Sequence, residues 1–494
     1  MHGSGKSDGP VIPMKPPNKA QAAEVAEGRG PAKGSTASKT RSGLSAGPDV
    51  SNALDRVREV ARKDKEARFT ALLHHVDLTR LWAAYVAVNP KAAPGVDEVT
   101  WDTYGQNLRV NLEDLLRRVH SGGYRASPSR RVYIPKPDGR LRPLGIATLE
   151  DKILQRAVVE VLNAISEEDF LGLSYGFRPG RGPHDALDAL AVGIKQKKVN
   201  WVLDADLRDF FTSLDHGWLE KFLEHRVADR RVLRLIRKWV KAGVIEDGKW
   251  SATEVGSPQG ASASPLLANV YLHYVFDRWA RQWRQKRARG DVVVVRFADD
   301  FVAGFEHQGD AKQFLHDLRQ RFAKFGLELH PDKTRLIEFG RHAAERRAAR
   351  GLGKPETFDF LGFTHICAKT RAGRFQLKRI TISKRMRAKL AQVKDQIKQR
   401  RHDPIPDQGR WLGSVVRGHL AYYAVPGNSQ AIRAFRTQVA RHWCKALRRR
   451  SQRHRLDWQR MNRLTLRWLP PARIQHPYPE VRFAATTRGK SPVR

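Results

Sequence analysis

The alternation of apolar and polar residues predicts mixed strands and helices up to about residue 365. Residues 292–295 are four valines, which predict a buried strand because β-branched side chains pack well on a pleated sheet. A second apolar run at 301–305 follows after one turn. A third run, in WVLDADLRDFF from Trp201, predicts a strand that breaks into a helix.

Three further segments add a hairpin and helices to this pattern. The segment VYIPKPDGRLRPLGI (132–146) predicts a hairpin that turns at Asp138 and Gly139. The segment DKILQRAVVEVLNAI (151–165) predicts a helix. From Asn52 a mixed charged and apolar pattern indicates another helix, with a turn after it at 93–97.

Beyond about residue 365 the pattern becomes helical and strongly basic. Ser383 is the predicted N-cap of a helix that ends near Arg401, and two more helices are predicted at 410–423 and 430–450. Residues 378–473 hold 25 Lys and Arg against four Asp and no Glu, a net charge of +21. This basic helical module carries about half of the chain's net charge.

The whole chain is basic, with 91 Lys and Arg against 51 Asp and Glu and a formal net charge of +40. Such a surface favours a polyanionic partner, and nucleic acid suits it best. Residues 1–50 have few large apolar groups and are expected to form a disordered basic tail. The chain has neither an apolar signal region nor a membrane span, so no membrane partner is expected. Cys367 and Cys444 form no CxxC pair, which fits a cytoplasmic location.

Pairs of aspartates at the ends of two predicted strands indicate a cation-binding site. Asp299 and Asp300 separate two apolar runs, a pattern that an ordinary solvated turn would also show. The run from Trp201 ends in a second acidic pair, Asp204 and Asp206. If these strands lie side by side, their carboxylates gather and repel one another unless a cation neutralises them.

Carboxylates gathered in this way are suitable ligands for Mg²⁺, which also accepts substrate phosphates as ligands. Two such ions about 4 Å apart activate an attacking 3′-hydroxyl and stabilise a leaving pyrophosphate. The pattern therefore favours nucleotidyl transfer, with a template and a primer bound by the basic surface.

The order of motifs resembles that of a bacterial group II intron-encoded reverse transcriptase and maturase. The similarity covers about residues 52–485. It rests on APGVD (93–97), YIPKPDGRLRPLGI (133–146), SYGFRPGRGPHDAL (174–187), the strand before Asp206, GSPQGASASPLLANVYL (256–272), RFADDF (296–301), GLELHPDKT (326–334), FDFLGF (358–363) and RGHLAYYAVPGN (417–428).

This resemblance implies an α+β fold with right-hand polymerase fingers and palm, followed by an all-α basic thumb or maturase domain. The expected divisions are a tail (1–50), an N-terminal extension with the start of the fingers (51–130), fingers and palm (131–365), the helical domain (366–470) and a C-terminal tail (471–494). Many relatives continue with an endonuclease that carries His and paired Cys. The residues after Pro471 do not show that pattern, so no second-strand DNA cleavage by this protein is expected.

By the same resemblance, Asp206, Asp299 and Asp300 form the catalytic triad and hold two Mg²⁺ ions, with Asp206 and Asp299 as the principal ligands. Spacing alone does not distinguish Asp206 from Asp204. Phe297 replaces the tyrosine that is usual before the paired carboxylates, which keeps the ring and loses the hydroxyl.

The resemblance also implies residues that bind the incoming dNTP. Lys136 and Arg142 would close over the triphosphate, Gln259 would line the nucleotide pocket, and Phe211 would exclude the 2′-hydroxyl of ribonucleotides. Lys333 would support the active-site turn or the substrate charge. Each has a simpler alternative: solvated charges for the three cations, an ordinary turn for Gln259 and core packing for Phe211.

Other matching segments concern the primer and the level of activity. Residues 361–363 resemble the segment that grips the primer terminus, although a buried strand would look the same. Ser262 and Ala263 stand where the family often has apolar residues, and Asp209 stands where it often has Gly. Because these departures lie beside the nucleotide site, reduced polymerase activity is one expectation. The triad itself is intact.

The basic helices resemble the family's RNA-binding module, which implies group II intron RNA and a DNA target or primer as partners. Phosphate contacts are expected from Arg448, Arg449, Arg450 and Arg453. The aromatic residues of the module are expected mainly to pack its core. They are Trp411, Tyr422, Tyr423, Trp443, Trp458 and Trp468.

The resemblance as a whole implies an RNA-directed DNA polymerase that also assists splicing and retrohoming of its host intron. Two alternatives stay open. One is an RNA-binding splicing cofactor with an idle polymerase site, and the other is a domesticated reverse transcriptase of a defence or diversity-generating system. The intact triad disfavours the first alternative, and the long basic module disfavours the second.

Overall fold

The computed structural model describes residues 49–135, 141–246, 249–252, 256, 260–450 and 456–487. Nearly all of the predicted tail, the turn at Asp138 and Gly139, and the candidate residues Lys136, Gln259 and Arg453 lie outside these ranges. Within them, every helix is too short or too polar to cross a bilayer.

Strands and helices alternate as far as residue 381, and only helices are assigned after it in the described ranges. The strands are β1 (Ser129–Pro135), β2 (Leu141–Ile146), β3 (Trp201–Ala205), β4 (Val244–Glu246), β5 (Lys249–Ser251), β6 (Val292–Phe297), β7 (Asp300–Phe305), β8 (Arg335–Glu338), β9 (Phe358–Phe360), β10 (Phe363–Lys369) and β11 (Phe375–Thr381).

The helices up to residue 381 are α1 (Asp49–Lys63), α2 (Leu78–Ala87), α3 (Trp101–Gly105), α4 (Leu108–His120), α5 (Leu149–Asp169), α6 (Pro183–Gln196), α7 (His216–Glu224), α8 (Arg230–Val240), α9 (Ser264–Leu272), α10 (Arg278–Lys286), α11 (Gln308–Lys324) and α12 (Ala343–Ala349). Those that follow are α13 (Ser383–Gln399), α14 (Ile405–Tyr423), α15 (Ser429–Arg448), α16 (Trp458–Trp468) and α17 (Pro479–Thr487). One π-helical turn, His273–Asp277, joins α9 to α10.

A four-stranded antiparallel sheet, which we name the central sheet, has the strand order β6-β7-β3-β8. One face packs on α6, where Gly193 lies so close to Val293 that a Cβ would be 2.7 Å from a Val293 methyl group. The other face belongs to a core that includes Phe301 and Phe314. All six residues of β6 are buried, so the strand predicted from the four valines is confirmed.

A second sheet, which we name the N-terminal sheet, has the order β2-β1-β4-β5. The antiparallel pairing of β1 with β2, with Tyr133 opposite Pro143, confirms the predicted hairpin. The helix predicted at 151–165 is confirmed within α5. After β3, however, the chain forms only a short 3₁₀ turn, Phe210–Thr212, rather than the predicted helix.

The boundary of the helical region was predicted too early. Strands β10 and β11 pair with β9 in a three-stranded sheet, so residues 366–381 are not helical. The hairpin turns at Gly373, whose φ of 73° is the left-handed conformation that glycine adopts readily. The sequence RAG at 371–373 is the turn signal that a purely helical interpretation missed.

The basic helices α13 to α16 form a bundle around an apolar core that contains the fully buried Trp443. The Trp443 indole donates a hydrogen bond of 2.8 Å to Gln408, so its predicted packing role is confirmed. Ile382, not Ser383, is the N-cap of α13, and no side chain caps that end. Helix α14 begins at Ile405, five residues before the predicted start, and Pro406 in its first turn is a helix-start signal.

Part of the segment expected to be a C-terminal tail forms a helix that packs against α6. Helix α17 lies against α6, and Phe483 is buried in the core on that side. Asp188, fully buried on α6, forms ion pairs with Arg379 of β11 and Arg482 of α17. This cluster attaches the C-terminal segment to the sheet.

Candidate active site

Strand register brings the three predicted carboxylates to one end of the central sheet. The last residue pair between β3 and β7 is Ala205 with Phe301, so the next residues, Asp206 and Asp300, stand opposite each other. Pairing of Phe297 with Asp300 leaves Asp299 in a two-residue hairpin turn. The proximity predicted for the three carboxylates is thus observed, while their catalytic role remains a prediction.

The electrostatics of this end of the sheet favour a cation. Burial raises the pKa of Asp299, and the neighbouring Asp206 raises it further, while the Arg142 guanidinium opposes the shift. Displacement of water by the surrounding protein, together with Asp299 and Asp206, likewise raises the pKa of Asp300, although its side chain is partly exposed at the surface. Repulsion between carboxylates of this kind is relieved when a metal ion binds between them.

The register places Asp206, and not Asp204, directly opposite Asp300. Asp204 lies within β3, opposite Val302 on one side and Arg335 on the other, and forms an ion pair of 3.3 Å with Arg335. Burial raises its pKa to about 6. Asp206 is the residue that follows the end of the strand, so it is the one that faces Asp300.

Residues 326–334 hold Asp206 in place. The His330 N–H donates a 2.8 Å hydrogen bond to the Asp206 carbonyl, and Leu207 forms a bridge with Leu329. Lys333, from the same segment, forms an ion pair with the Asp206 carboxylate. Lys333 therefore lies beside the predicted carboxylate site, and its role there stays a prediction.

The donor chemistry at this site fits Mg²⁺, since Asp206, Asp299 and Asp300 offer carboxylate oxygens from one sheet end. In the described ranges, no three Asp, Glu, His or Cys side chains are already arranged as a complete ligand set. The Lys333 ammonium contacts one oxygen of the Asp206 carboxylate, Oδ2.

A buried ion pair beneath the turn was missed by the sequence reasoning. Arg296 is 1% exposed and makes a two-point contact with the fully buried Asp277, at 2.7 and 2.6 Å. The same guanidinium donates to Asn269 at 3.0 Å and to the Ala298 carbonyl at 2.8 Å. Arg296 thereby joins the π-helical turn to the hairpin turn that carries Asp299.

Gly176, in the motif SYGFRPG, packs against the same turn. A Cβ at this position would lie 2.3 Å from the Ala298 nitrogen, so only glycine fits. Ala298 itself has a φ of 57°, and the neighbouring Phe177 has a φ of 58°. Left-handed conformations cost non-glycine residues about 1 kcal/mol each, and such outliers tend to cluster at functional sites.

Of the residues predicted to bind the nucleotide, the structure describes Arg142, Phe211 and Lys333. Arg142 is exposed on β2, opposite Ile134, and its charge acts on Asp299. Phe211 is half-buried beside the buried Phe210, so both its packing role and its proposed contact with the sugar remain open.

The residues that depart from the family pattern have local explanations. Asp209 has a φ of 44°, which explains why glycine is common there, and Asp tolerates this conformation better than most residues. Ala263 is buried, and its N–H donates to Gln155 at 3.2 Å.

The segment expected to contact the primer is a strained turn. Leu361 has a φ of 45° and Gly362 one of 82°. The Tyr422 hydroxyl donates to the Leu361 carbonyl at 2.8 Å, and the Ile382 N–H donates to the Gly362 carbonyl at 3.2 Å. The helical bundle therefore holds this turn directly.

Two of the arginines expected to contact phosphate also have structural partners. Arg448 donates to the Leu456 carbonyl at 2.9 Å, and Arg450 donates to the carbonyls of Arg401 and Asp403. Arg449 is exposed at the C-terminal end of α15. Of the described members of the cluster, Arg449 is the best placed to bind an external phosphate.

Comparison with known proteins identifies the family. Residues 134–365 match the family described as Reverse transcriptase (RNA-dependent DNA polymerase). Protein YkfC of Escherichia coli (strain K12) is 38% identical over 290 residues, a match that covers 51% of this chain and 75% of that protein. Group II intron-encoded protein LtrA of Lactococcus lactis subsp. cremoris is 31% identical over 291 residues, covering 57% of this chain.

The match spans 47% of LtrA, so less than half of that protein is represented here. Putative COX1/OXI3 intron 1 protein of Saccharomyces cerevisiae is 25% identical over 331 residues, covering 57% of this chain and 38% of that protein. The motif order, the carboxylate geometry and these matches agree. The chain belongs to the group II intron-encoded reverse transcriptases and maturases, a family of RNA-directed DNA polymerases.

Proposed function

We propose that the protein copies RNA into DNA at the site formed by Asp206, Asp299 and Asp300, with two Mg²⁺ ions. The observation that carries this proposal is the strand register, which sets Asp206 opposite Asp300 and places Asp299 in the turn between β6 and β7. The raised pKa values of Asp299 and Asp300 support it, because they reflect a need for positive charge.

In this proposal Asp206 and Asp299 are the principal metal ligands. When bound, the two ions would activate the primer 3′-hydroxyl and stabilise the leaving pyrophosphate. Lys333, which pairs with Asp206, would compete with a metal ion for that carboxylate. The buried Arg296 holds the Ala298 carbonyl, and with it the orientation of Asp299.

Binding of dNTP falls to the hairpin of β1 and β2 and to the segment after β3. Arg142 and Lys136 meet the triphosphate, and Gln259 contacts the nucleotide. Phe211 excludes the 2′-hydroxyl of ribonucleotides. If Phe211→Ala leaves the preference for dNTP over NTP unchanged in primer extension, Phe211 is only a packing residue.

The central sheet corresponds in this proposal to the palm of a right-hand polymerase, the N-terminal sheet to the fingers, and the bundle α13 to α16 to the thumb. The bundle also binds group II intron RNA, and in this way assists splicing and retrohoming. Its excess of Lys and Arg supports this role, and Arg449 is the described residue we assign to phosphate contact.

The decisive experiment is primer extension by the purified protein on an RNA template with a DNA primer, dNTPs and Mg²⁺. We expect Asp299→Ala to abolish extension. The matched control Asp395→Ala removes an exposed carboxylate of α13 that pairs with Lys398, and it should extend normally. If the unmodified protein binds intron RNA tightly but extends no primer, the protein is a splicing cofactor with an idle polymerase site.

A further inference from the structure

Helix α8 has an outward face on which every side chain carries a positive charge. Its sequence, RRVLRLIRKWV, contains six buried apolar residues and no Asp or Glu. From Arg230 to Lys241, each residue that is not buried is Arg or Lys. We name this set the cationic face, and it consists of Arg230, Arg231, Arg234, Arg237, Lys238 and Lys241.

Three members of the cationic face bond to other groups of the protein. Within the part of the chain that the structure describes, the side chains of Arg230, Arg234 and Lys241 form neither an ion pair nor a hydrogen bond. These three are separated by one and by two helical turns, so they lie along one line of the helix. The line is about 16 Å long, since each helical residue adds about 1.5 Å.

Helix stability does not explain the cationic face. Arg230 and Arg234 are one turn apart, and like charges at that spacing repel each other and destabilise a helix. Arg230 and Arg231 also stand in the first turn, where positive charge opposes the helix dipole. A helix face that only meets water commonly mixes charges of both signs. A line of cations alone favours a polyanionic strand as its partner.

An exposed indole stands at the C-terminal end of the cationic face. Trp250, in β5, is 59% exposed. Its Nε1 donates to the Ala242 carbonyl at 3.3 Å, and a Cβ on Gly243 would be 2.5 Å from the same nitrogen. The ring is therefore anchored directly after Lys241, while more than half of the residue stays open to solvent. Exposed aromatic rings beside cations are platforms on which the bases of single-stranded nucleic acids stack.

Trp250 is also close along the chain to the segment expected to line the nucleotide pocket. That segment begins at Gly256, six residues after Trp250. Gly256 packs beside Phe211, because a Cβ on Gly256 would lie 2.9 Å from the Phe211 carbonyl oxygen. Six residues of extended chain span at most about 21 Å, so the indole lies within that distance of Gly256.

We propose that Trp250 and the cationic face bind the unpaired RNA template ahead of the active site, on the 5′ side of the nucleotide being copied. One template base stacks on Trp250, and Arg230, Arg234 and Lys241 bind template phosphates. This inference rests on the proposed polymerase function. A base-paired duplex suits this surface less well, because its bases are already stacked on one another and do not reach the face of the indole.

The test compares two primer–templates that differ only in the unpaired part of the RNA. A fluorescent DNA primer is annealed to a template that extends beyond the primer 3′ end by a single nucleotide or by about twelve, a length within the range of known single-strand sites. The unmodified protein should bind the long form about tenfold more tightly than the short form. Trp250→Ala should lose most of this gain and bind the short form normally.

Two substitutions serve as controls for the indole. Trp250→Phe keeps an aromatic face at the same position, so it should retain most of the gain. Trp458→Ala removes a tryptophan of α16 that is 48% exposed, and it should keep the full gain because it lies outside the proposed platform.

Salt dependence tests the cations. Each phosphate contact of a single strand contributes about 0.7 to the slope of log K against log salt concentration. The triple variant Arg230→Gln, Arg234→Gln and Lys241→Gln should therefore reduce the magnitude of the slope for the long form by about 2 and leave the slope for the short form unchanged. A control variant of the same net charge loses three exposed cations of α11 and should keep both slopes. Its substitutions are Lys312→Gln, Arg319→Gln and Lys324→Gln.

The proposal is wrong if the unmodified protein binds both forms equally, or if Trp250→Ala keeps the full gain. It is also wrong if Trp250→Ala weakens both forms to the same extent, because the indole then only stabilises the fold. Binding is measured without polymerisation. A protein that extends primers without the gain, or that shows the gain without extending primers, would separate this inference from the proposed function.

Discussion

The buried ion pair between Arg296 and Asp277 provides the sharpest test of how the fold supports the site. Asp277→Asn keeps the size of the side chain and removes its charge. Arg296, which is 1% exposed, then stays in the interior without a counter-charge. Because the same guanidinium holds the Ala298 carbonyl, the change should affect both the stability of the fold and the catalytic turn.

The expected loss of unfolding free energy follows from the burial of the ion pair. Breaking a buried pair by removing one partner costs about 3–5 kcal/mol of unfolding free energy, whereas an exposed pair contributes at most about 1 kcal/mol. The pair of Arg237 with Glu220 is partly exposed, at 49% and 33%. Glu220→Gln is therefore the control with a small effect on stability.

A second control separates stability from catalysis. Asp188→Asn breaks another buried pair, with Arg379, whose side chains are 1% and 2% exposed. It should lose a similar free energy of unfolding, but Asp188 pairs with Arg379 and Arg482 rather than with the turn that carries Asp299. Asp277→Asn should in addition lower kcat for primer extension about 100-fold, as expected when a catalytic group is displaced by about 1 Å.

The assays are urea denaturation, followed by tryptophan fluorescence, and primer extension at a temperature where every variant is folded. The double variant Asp277→Leu with Arg296→Met should regain most of the lost stability, because a buried pair can be replaced by apolar residues of similar size. Its kcat should stay low, since the Ala298 carbonyl has lost its donor. A loss below about 1 kcal/mol for Asp277→Asn, or an unchanged kcat, would refute the reasoning.

Three further predictions concern other sites. Lys333→Met removes the cation that pairs with Asp206 and that would compete with Mg²⁺ for this carboxylate. In a Mg²⁺ titration of primer extension, the variant should reach half-maximal activity at a severalfold lower Mg²⁺ concentration. A higher Mg²⁺ requirement would contradict the proposed competition. Phe177 has a φ of 58°, so Phe177→Gly should be more stable in urea than Phe177→Ala by about 1 kcal/mol, and equal stability would show that no strain is stored there. Burial lowers the pKa of His365 and of His419 to about 3 and that of His273 to about 4. These side chains therefore stay neutral in the folded protein, whereas in the unfolded chain they gain protons below about pH 6.5. Stability should therefore fall as pH decreases from 7.5 to 5.5, by ~1.4 kcal/mol for each histidine, and His419→Phe should reduce that fall by one histidine's share in denaturation curves; an unchanged pH dependence would contradict the assignment.

Much of the central sheet could be predicted from local patterns. The four valines of β6 and the apolar run of β7 identify a hairpin, because strand formation there depends on neighbouring residues. The position of Asp299 and Asp300 between these runs follows directly from chain order. The order of motifs then implied the family, which the comparisons confirm.

The choice between Asp204 and Asp206 could not be made from spacing. It depends on where β3 ends relative to β7, and a shift of one residue in register would turn every side chain to the opposite face. The strands β10 and β11 were missed although they pair as a local hairpin, with Lys369 opposite Phe375. Their sequences alone do not show a long enough alternating pattern.

The sequence by itself determined which chemical groups are present, their order along the chain, and the local elements that carry them. Only the tertiary structure decided which groups meet: Arg296 with Asp277, Lys333 with Asp206, and Arg385 with the turn at Gly362. Local structure depends on interactions between near neighbours in the chain. Contacts between distant segments depend on strand register and core packing, which no local pattern encodes.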